Sequence, residues 1–193
     1  QNNAAGYFPG KDIDFAIFKS MCESRLFTQF RLRGTGIFTF ESDVNIPEGV
    51  YVKVRNSSAL IVPENVKLTI NGKIEASFNG LIRVESGGTM ESKNEIYLGD
   101  GGVIDVFGTY KNNGRKGLHF WLEAPDAPTP KLIIEDGATY VAGSGFAFDA
   151  PVTPEAAVQN INMDNYCHHI DHNNPNRMIY YPANIMTFEL MFP

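Results

Sequence analysis

The stretch YCHHIDHNNPNR, residues 166–177, gathers three of the four histidines and one of the two cysteines in the chain. Cys167, His168, His169 and His172 are the residue types that hold a transition metal through thiolate or neutral imidazole, with Asp164 and Asp171 close by. On a helix, His168 and His172 share a face at i, i+4. In an extended chain, equal parity groups His168 with His172 and Cys167 with His169. Three ligands with an open position suit a catalytic zinc, whereas a structural zinc needs a fourth ligand, and no second ligand pair stands out. The Asn-rich, Pro-containing run that follows favours turns over a continued helix. The stretch reads first as a polar loop. A metal site and a pH-sensitive histidine cluster at an interface are the alternatives.

A second group of chemically capable residues lies in TYKNNGRKGLHFWLEAPDAPTPKLIIED, between Gly108 and Gly137. It holds the only tryptophan, Trp121, with Tyr110, Arg115, His119, Glu123 and Asp126. Aromatic faces beside carboxylates and a guanidinium suit sugar recognition, because a pyranose ring stacks on an indole or phenol while polar groups bind its hydroxyls. The competing reading is a folded-back loop that Phe120 and Trp121 seal onto the rest of the chain. Acidic residues recur at expected corners: Glu48, Glu64, Glu85, Asp100, Asp105, Glu135 and Asp136. They read as solvated turns, since spacing alone brings no two of them to a catalytic separation. No phosphate loop, nucleophile elbow or H-E-x-x-H helix occurs, so no catalytic residue is assigned and no cofactor is expected.

The elements that must position these groups are short strands. From about residue 41 to 150 the chain is rich in Val, Ile, Thr and Gly and alternates with period 2. NIPEGVYVKV, IVPENVKLTI, RVESGGTMES and IIEDGATYVA share one form, in which a Gly or Asn corner precedes an alternating strand. The corners at Gly49, Asn65, Gly87, Gly108 and Gly137 give a repeat averaging roughly 22 residues, the mark of a solenoid. Val66, Leu68, Ile70, Ile74, Ile82, Val84, Ile96, Leu98, Ile104, Val106, Leu132 and Ile134 are the expected inward residues. Lys67, Thr69, Arg83, Glu85 and Asp105 are expected to point outward. An antiparallel sandwich uses similar strands and stays open as the alternative.

The run VNIPEGVYVKVRNSSALIVPENVKLTINGKIEA…LIRVESGGTMES resembles the degenerate right-handed parallel β-helix repeats of bacterial surface and secreted proteins. The resemblance covers about residues 44–142 and is at the level of the repeat alone. It implies a mainly β, single-stranded right-handed parallel β-helix of about five coils. It also implies an extracellular or cell-surface setting and an adhesive or structural role.

An open solenoid has edges that need covers. Residues 1–40 are assigned as an N-terminal cap with an amphipathic helix over 12–30, on which Ile13, Ile17, Met21 and their neighbours Phe18 and Cys22 face the core. Residues 41–150 form the solenoid, with an insertion at about 110–130. Residues 151–193 form an irregular C-terminal cap with a helix over about 154–162 and an apolar tail. With Cys22 and Cys167 on opposite caps, five coils at ~4.8 Å separate them far beyond the ~7 Å that a disulfide spans, so two free thiols are expected.

A net charge of −6 argues against nucleic acid as a partner, and no apolar run is long enough for a membrane span. The expected function is a non-enzymatic binding or structural solenoid. Its partner would be a glycan or cell-surface molecule at 110–126, or another copy through the C-terminal tail. A carbohydrate-active β-helix enzyme is the alternative, and a subunit of a virion or other ordered assembly is the second. The enzyme reading requires two or more carboxylates and a cation in one groove beside Trp121.

Overall fold

Four-residue strands with alternate apolar residues cannot bury their faces alone, so they stack. The computed structural model describes residues 5–9, 14–114 and 117–185. It begins with β1 (Ala5–Pro9), α1 (Phe15–Glu23), β2 (Gln29–Arg33), β3 (Ile37–Thr39) and β4 (Val44–Ile46). The next coils are β5 (Tyr51–Val54), β6 (Ala59–Val62) and β7 (Lys67–Ile70), then β8 (Lys73–Ala76), β9 (Leu81–Val84) and β10 (Thr89–Ser92). Two further coils hold β11 (Ile96–Gly99), β12 (Val103–Val106) and β13 (Thr109–Asn112), then β14 (Leu118–Trp121), β15 (Lys131–Ile134) and β16 (Thr139–Ala142). The last comprises β17 (Phe146–Asp149), α2 (Pro154–Ala157) and β18 (Val158–Gln159), before a hairpin of β19 (Tyr166–Asp171) and β20 (Asn174–Pro182).

These strands form three sheets of nine, six and five strands, ordered β1-β2-β5-β8-β11-β14-β17-β20-β19, β18-β15-β12-β9-β6-β3 and β16-β13-β10-β7-β4. All pairs are parallel except β17–β20 and β19–β20. The chain is therefore a β-solenoid of about six turns, one more than the sequence suggests, and not an antiparallel sandwich. Gln29 lies beside Tyr51, Tyr51 beside Lys73, and Ile96 beside both Ile74 and Leu118. The step is 22 residues each time, as between Arg83 and Asp105.

Every residue expected to face inward is buried, from Val66 to Ile134. Of those expected outward, Asp105 is also buried because the Arg83 guanidinium, at 2.9 Å, covers it. The corners from the nine-stranded to the six-stranded sheet repeat as well. Asn56–Ser57, Phe78–Asn79 and Asp100–Gly101 each place two successive residues at positive φ. Phe78 is a bulky residue for that region, and the Arg55 guanidinium sits 5.0 Å from its ring centroid.

The N-terminal cap is shorter than its sequence suggests. The helix stops at Glu23, and the expected stretch to residue 30 gives way to β2, because Phe30 and Leu32 alternate with Gln29 and Arg31 and so fit a pleat. The coils thus begin at Gln29, inside the segment assigned to the cap. Phe15, Phe18 and Cys22 form the buried helix face, while Ile17 is exposed; Ile13 lies outside the described residues. Phe18 packs on Phe30, Phe38 and Phe40 with ring centroids 5.4, 5.1 and 6.0 Å away. The Asp14 carboxylate caps the helix by accepting from the Ala16 N–H at 2.8 Å. Asp14→Ala is expected to lower stability by about 1 kcal/mol, read as a shift in the urea midpoint.

At the other end, α2 covers only Pro154–Ala157 of the expected 154–162, since Val158 and Gln159 are drawn into the six-stranded sheet beside Leu132 and Ile133. Thr153 occupies the cap position but makes no side-chain capping bond. Cys22 lies in the N-terminal helix and Cys167 in the hairpin at the far end, and both thiols are free. Burial pushes the Cys22 thiol up to about 12, so it stays protonated. No helix among the described residues is long and apolar enough to cross a membrane. Residues 186–193, on which the expectation of a packed tail mainly falls, lie outside the described residues.

Candidate functional site on the nine-stranded sheet

The outer face of the nine-stranded sheet concentrates most of the chemistry. Parallel, in-register stacking turns a 22-residue spacing into a row running across the strands. One such row reads Arg31, Lys53, Glu75, Tyr97, His119, Ala147, Ile179, His169. At ~4.8 Å per strand it extends for about 30 Å. Tyr51 and Lys73 flank it on one side, and Trp121 and Asp149 on the other.

Glu75 is the buried hub of the N-terminal half, with 2% of its surface exposed. It accepts from Arg55 Nε at 2.7 Å, from Ser77 Oγ at 2.6 Å and from the Tyr51 hydroxyl, with Lys53 Nζ 3.7 Å away. Burial alone would raise its pKa, but the hydrogen bonds from Ser77, Tyr51 and Arg55 outweigh it and hold the carboxyl below its ordinary value. Burial and the bond to Glu75 push the Tyr51 phenol up, so it remains a neutral donor.

The C-terminal half centres on His119. Its Nε2 lies 3.0 Å from Asp149 Oδ2 and its Nδ1 lies 3.9 Å from Glu95 Oε1, so the imidazole stands between two carboxylates. Arg177 Nε donates to Asp149 Oδ1 at 2.6 Å, and Arg177 Nη1 approaches Asp171 at 3.4 Å. Burial would raise the Asp149 pKa, but Arg177 and His119 hold it below the usual carboxylate range. The Tyr97 hydroxyl donates to Glu95 at 2.5 Å, and its ring lies 5.6 Å from that of His119. Glu95, His119, Asp171 and Arg177 line a cleft of about 350 Å³.

Trp121 follows His119 by two residues on the same outer face, in register with Gly99, and is not one of the residues that line the cleft. A Cβ at position 99 would meet indole atoms Cε2 and Cζ2 at 2.6 and 2.7 Å and Cδ2 at 3.1 Å. The benzo ring therefore lies flat over Gly99, and the half-exposed indole has its other face turned from the sheet. Gly99, without a Cβ, leaves the room that the ring occupies.

The structure brings together only part of the group expected at 110–126. His119 and Trp121 share the outer face because Leu118–Trp121 is a regular strand, not part of an inserted loop; only the connection over 122–130 is long. Tyr110 is fully buried inside the five-stranded sheet, 5.7 Å from the Tyr140 ring, and cannot contact a ligand on the outer face. Glu123 and Asp126 are exposed in the 122–130 loop, with the Glu123 N–H bonded to Asp100 at 2.8 Å. Arg115 lies outside the described residues.

The histidine-rich stretch is not one loop: Tyr166–Asp171 is the strand β19, and His172 lies in the turn before β20. A bulge between Ile170 and Asp171 breaks its parity, so His172 approaches His169, at 6.1 Å between rings, rather than His168. His168 stacks on Tyr180 at 5.1 Å and His169 on Tyr181 at 5.6 Å. Cys167 is exposed, and among the described residues no three His, Cys, Asp or Glu side chains are grouped to hold a metal ion.

Sequence reasoning about single motifs misses Tyr51, Glu75, Glu95, Tyr97, Asp149 and Arg177. Part of the signal is nonetheless present, because positions 31, 53, 75, 97 and 119 form an unbroken 22-residue series. Comparison with protein-family models, with curated proteins and with solved structures finds no match to this chain.

Proposed function

We propose that this β-solenoid is a glycan-binding protein of the extracellular or cell-surface kind, and that the outer face of its nine-stranded sheet is the binding surface. The observation that carries the reading is the indole of Trp121, laid flat over Gly99 two residues from His119, which lines a cleft of carboxylate, guanidinium and hydroxyl groups. A half-exposed aromatic plane gives a sugar ring its apolar contact, and His119, Glu95 and Arg177 supply the directional polar contacts next to it. A row about 30 Å long matches an extended chain of several sugar residues better than a single small molecule.

A second reading has its own support. Two carboxylates flank His119, two residues from Trp121, and the Arg177 guanidinium pairs with one of them, Asp149, a grouping of the kind a carbohydrate-active enzyme requires. Against it, Asp149 is engaged by both Arg177 and His119 and is held ionised, which suits an anchored network more than a proton-transfer pair.

One titration series separates the two. The protein is mixed with soluble neutral, acidic and amino-sugar polysaccharides, followed by fluorescence of its single tryptophan, and the mixtures are then assayed for new reducing ends or unsaturated products. Saturable binding with no product is the expected result. Product formation moves the assignment to the enzyme, and silence across the panel overturns both.

A further inference from the structure

A different part of the molecule, the C-terminal end of the five-stranded sheet, presents an unfinished coil. The nine-stranded sheet continues past β14 with β17, β20 and β19, and the six-stranded sheet continues past β15 with β18. Among the described residues the five-stranded sheet ends at β16, which pairs there with β13 alone. Where a further strand would lie, the chain instead turns away at Asn160, with φ of 63°, and passes through a short 3-10 turn at Met163–Asn165. A groove of about 590 Å³ is left beside β16, lined by Ile134, Tyr140, Ala142, Asn160 and Tyr166 among others.

The walls of this groove say what would fill it. In the coils before, the inward columns of this sheet are closed: Met90 and Tyr110, then Ser92 and Asn112, are all fully buried. Their successors Tyr140 and Ala142 are only half-buried. Among the described residues the columns therefore lack one more layer of side chains, spaced two residues apart. The backbone is open in the same way. The Thr139 N–H donates to the Gly108 carbonyl at 2.9 Å, so by the alternation of a parallel ladder the Tyr140 and Ala142 N–H groups point to the unpaired side. Asn160 fixes the groove rim by donating to the Ile134 carbonyl at 2.7 Å. The described lining carries no charged side chain; its polar groups are asparagine amides and two phenols that burial keeps neutral.

From this free edge, open column and uncharged wall we infer that the groove takes an extended, uncharged polypeptide segment of another protein as a sixth strand beside β16. Backbone pairing with Tyr140 and Ala142 supplies affinity, as in other cases of strand addition. An apolar side chain set against Tyr140 supplies selectivity, with its neighbours two residues away on the same face. A four-residue register is enough, since the other full strands of this sheet are that length.

The test uses the full chain and a fluorescein-labelled capped peptide of alternating Val and Thr, measured by fluorescence anisotropy. Three comparisons accompany it: the same peptide N-methylated at alternate residues, a peptide with Asp in place of each Val, and the Ala142→Pro protein. Saturable binding is expected, weakened about tenfold or more by N-methylation and by Ala142→Pro, and abolished by Asp. Equal binding of the N-methylated peptide shows an apolar pocket without strand pairing and overturns the inference. Absence of binding also overturns it, and if sedimentation then shows a dimer, the edge belongs to a second copy. Because Ala142→Pro is a backbone change, its circular dichroism is compared with the parent, and the N-methylated peptide decides if that variant misfolds.

Discussion

Glu75→Gln is expected to destabilise the solenoid by roughly 2–4 kcal/mol, the largest effect of any single polar substitution on the outer face. The carboxylate is almost fully enclosed, and Tyr51, Arg55, Ser77 and Lys53 all direct donors or positive charge at it. Glutamine keeps the shape but replaces one accepting oxygen with a donor, which then faces donors. It also leaves the Arg55 and Lys53 charges without their counter-charge. The cost stops short of the upper range for broken buried pairs because Arg55 and Lys53 retain 24% and 14% exposure and regain some water. The measurement is the urea midpoint by far-UV circular dichroism. A change below about 0.5 kcal/mol would show that the hub contributes no more than a surface ion pair.

The same group sets a pH signature. The Glu75 pKa is lowered in the folded chain from its ordinary 4.5, so its contribution is complete above that value and is lost as pH falls through the folded pKa. Asp149 is lowered from 3.8 and acts in the same direction. Stability of the parent should therefore fall below pH about 4.5, and Glu75→Gln should show a shallower fall over the same window because one proton uptake is gone. An identical slope in parent and variant would mean that Glu75 does not carry the linkage.

The fold was largely legible in the sequence because its physics is local and repeated. Alternation fixed which residues face inward, and all of those from Val66 to Ile134 are buried. The ends were less legible, because a cap is defined by what it covers. Phe27–Leu32 could continue a helix or start a strand, and only the register against Tyr51–Val54 decides. Val158–Gln159 is likewise a strand because Leu132–Ile133 offers an edge.

The site was harder to read for a related reason. The corners at Asn65, Gly87 and Gly137 precede strands of the five-stranded sheet, but Gly49 precedes one of the nine-stranded sheet and Gly108 lacks the left-handed backbone of the others. Mixing them blurred the phase of the repeat. With the phase set at 22 residues, Lys53, Glu75, Tyr97 and His119 fall into one row. Asp149 and Arg177 would still escape, since the 122–130 loop lengthens the step before β17 and the hairpin reverses direction. Tyr110 shows the opposite error: chain proximity to Trp121 suggested a shared site, while the solenoid sends the two residues to different sheets.

Trp121→Ala is expected to weaken glycan binding by about thirty-fold, in line with the roughly 2 kcal/mol carried by a central aromatic anchor. The fold should survive, because the inward residues of the same strand, Leu118 and Phe120, are fully buried and untouched. Deleting a ring cannot by itself distinguish a platform from a seal, and Gly99→Ala supplies the distinction. The new methyl would sit 2.6–2.7 Å from the indole, so the ring must shift while its chemistry stays present. A platform depends on where the ring lies, and Gly99→Ala should then cost about tenfold in affinity with little change in urea midpoint. The single tryptophan reports its own displacement through fluorescence and near-UV circular dichroism. If either substitution instead unfolds the chain, or if Gly99→Ala moves the ring and affinity is unchanged, Trp121 only seals the coil and the binding surface must lie elsewhere along the row.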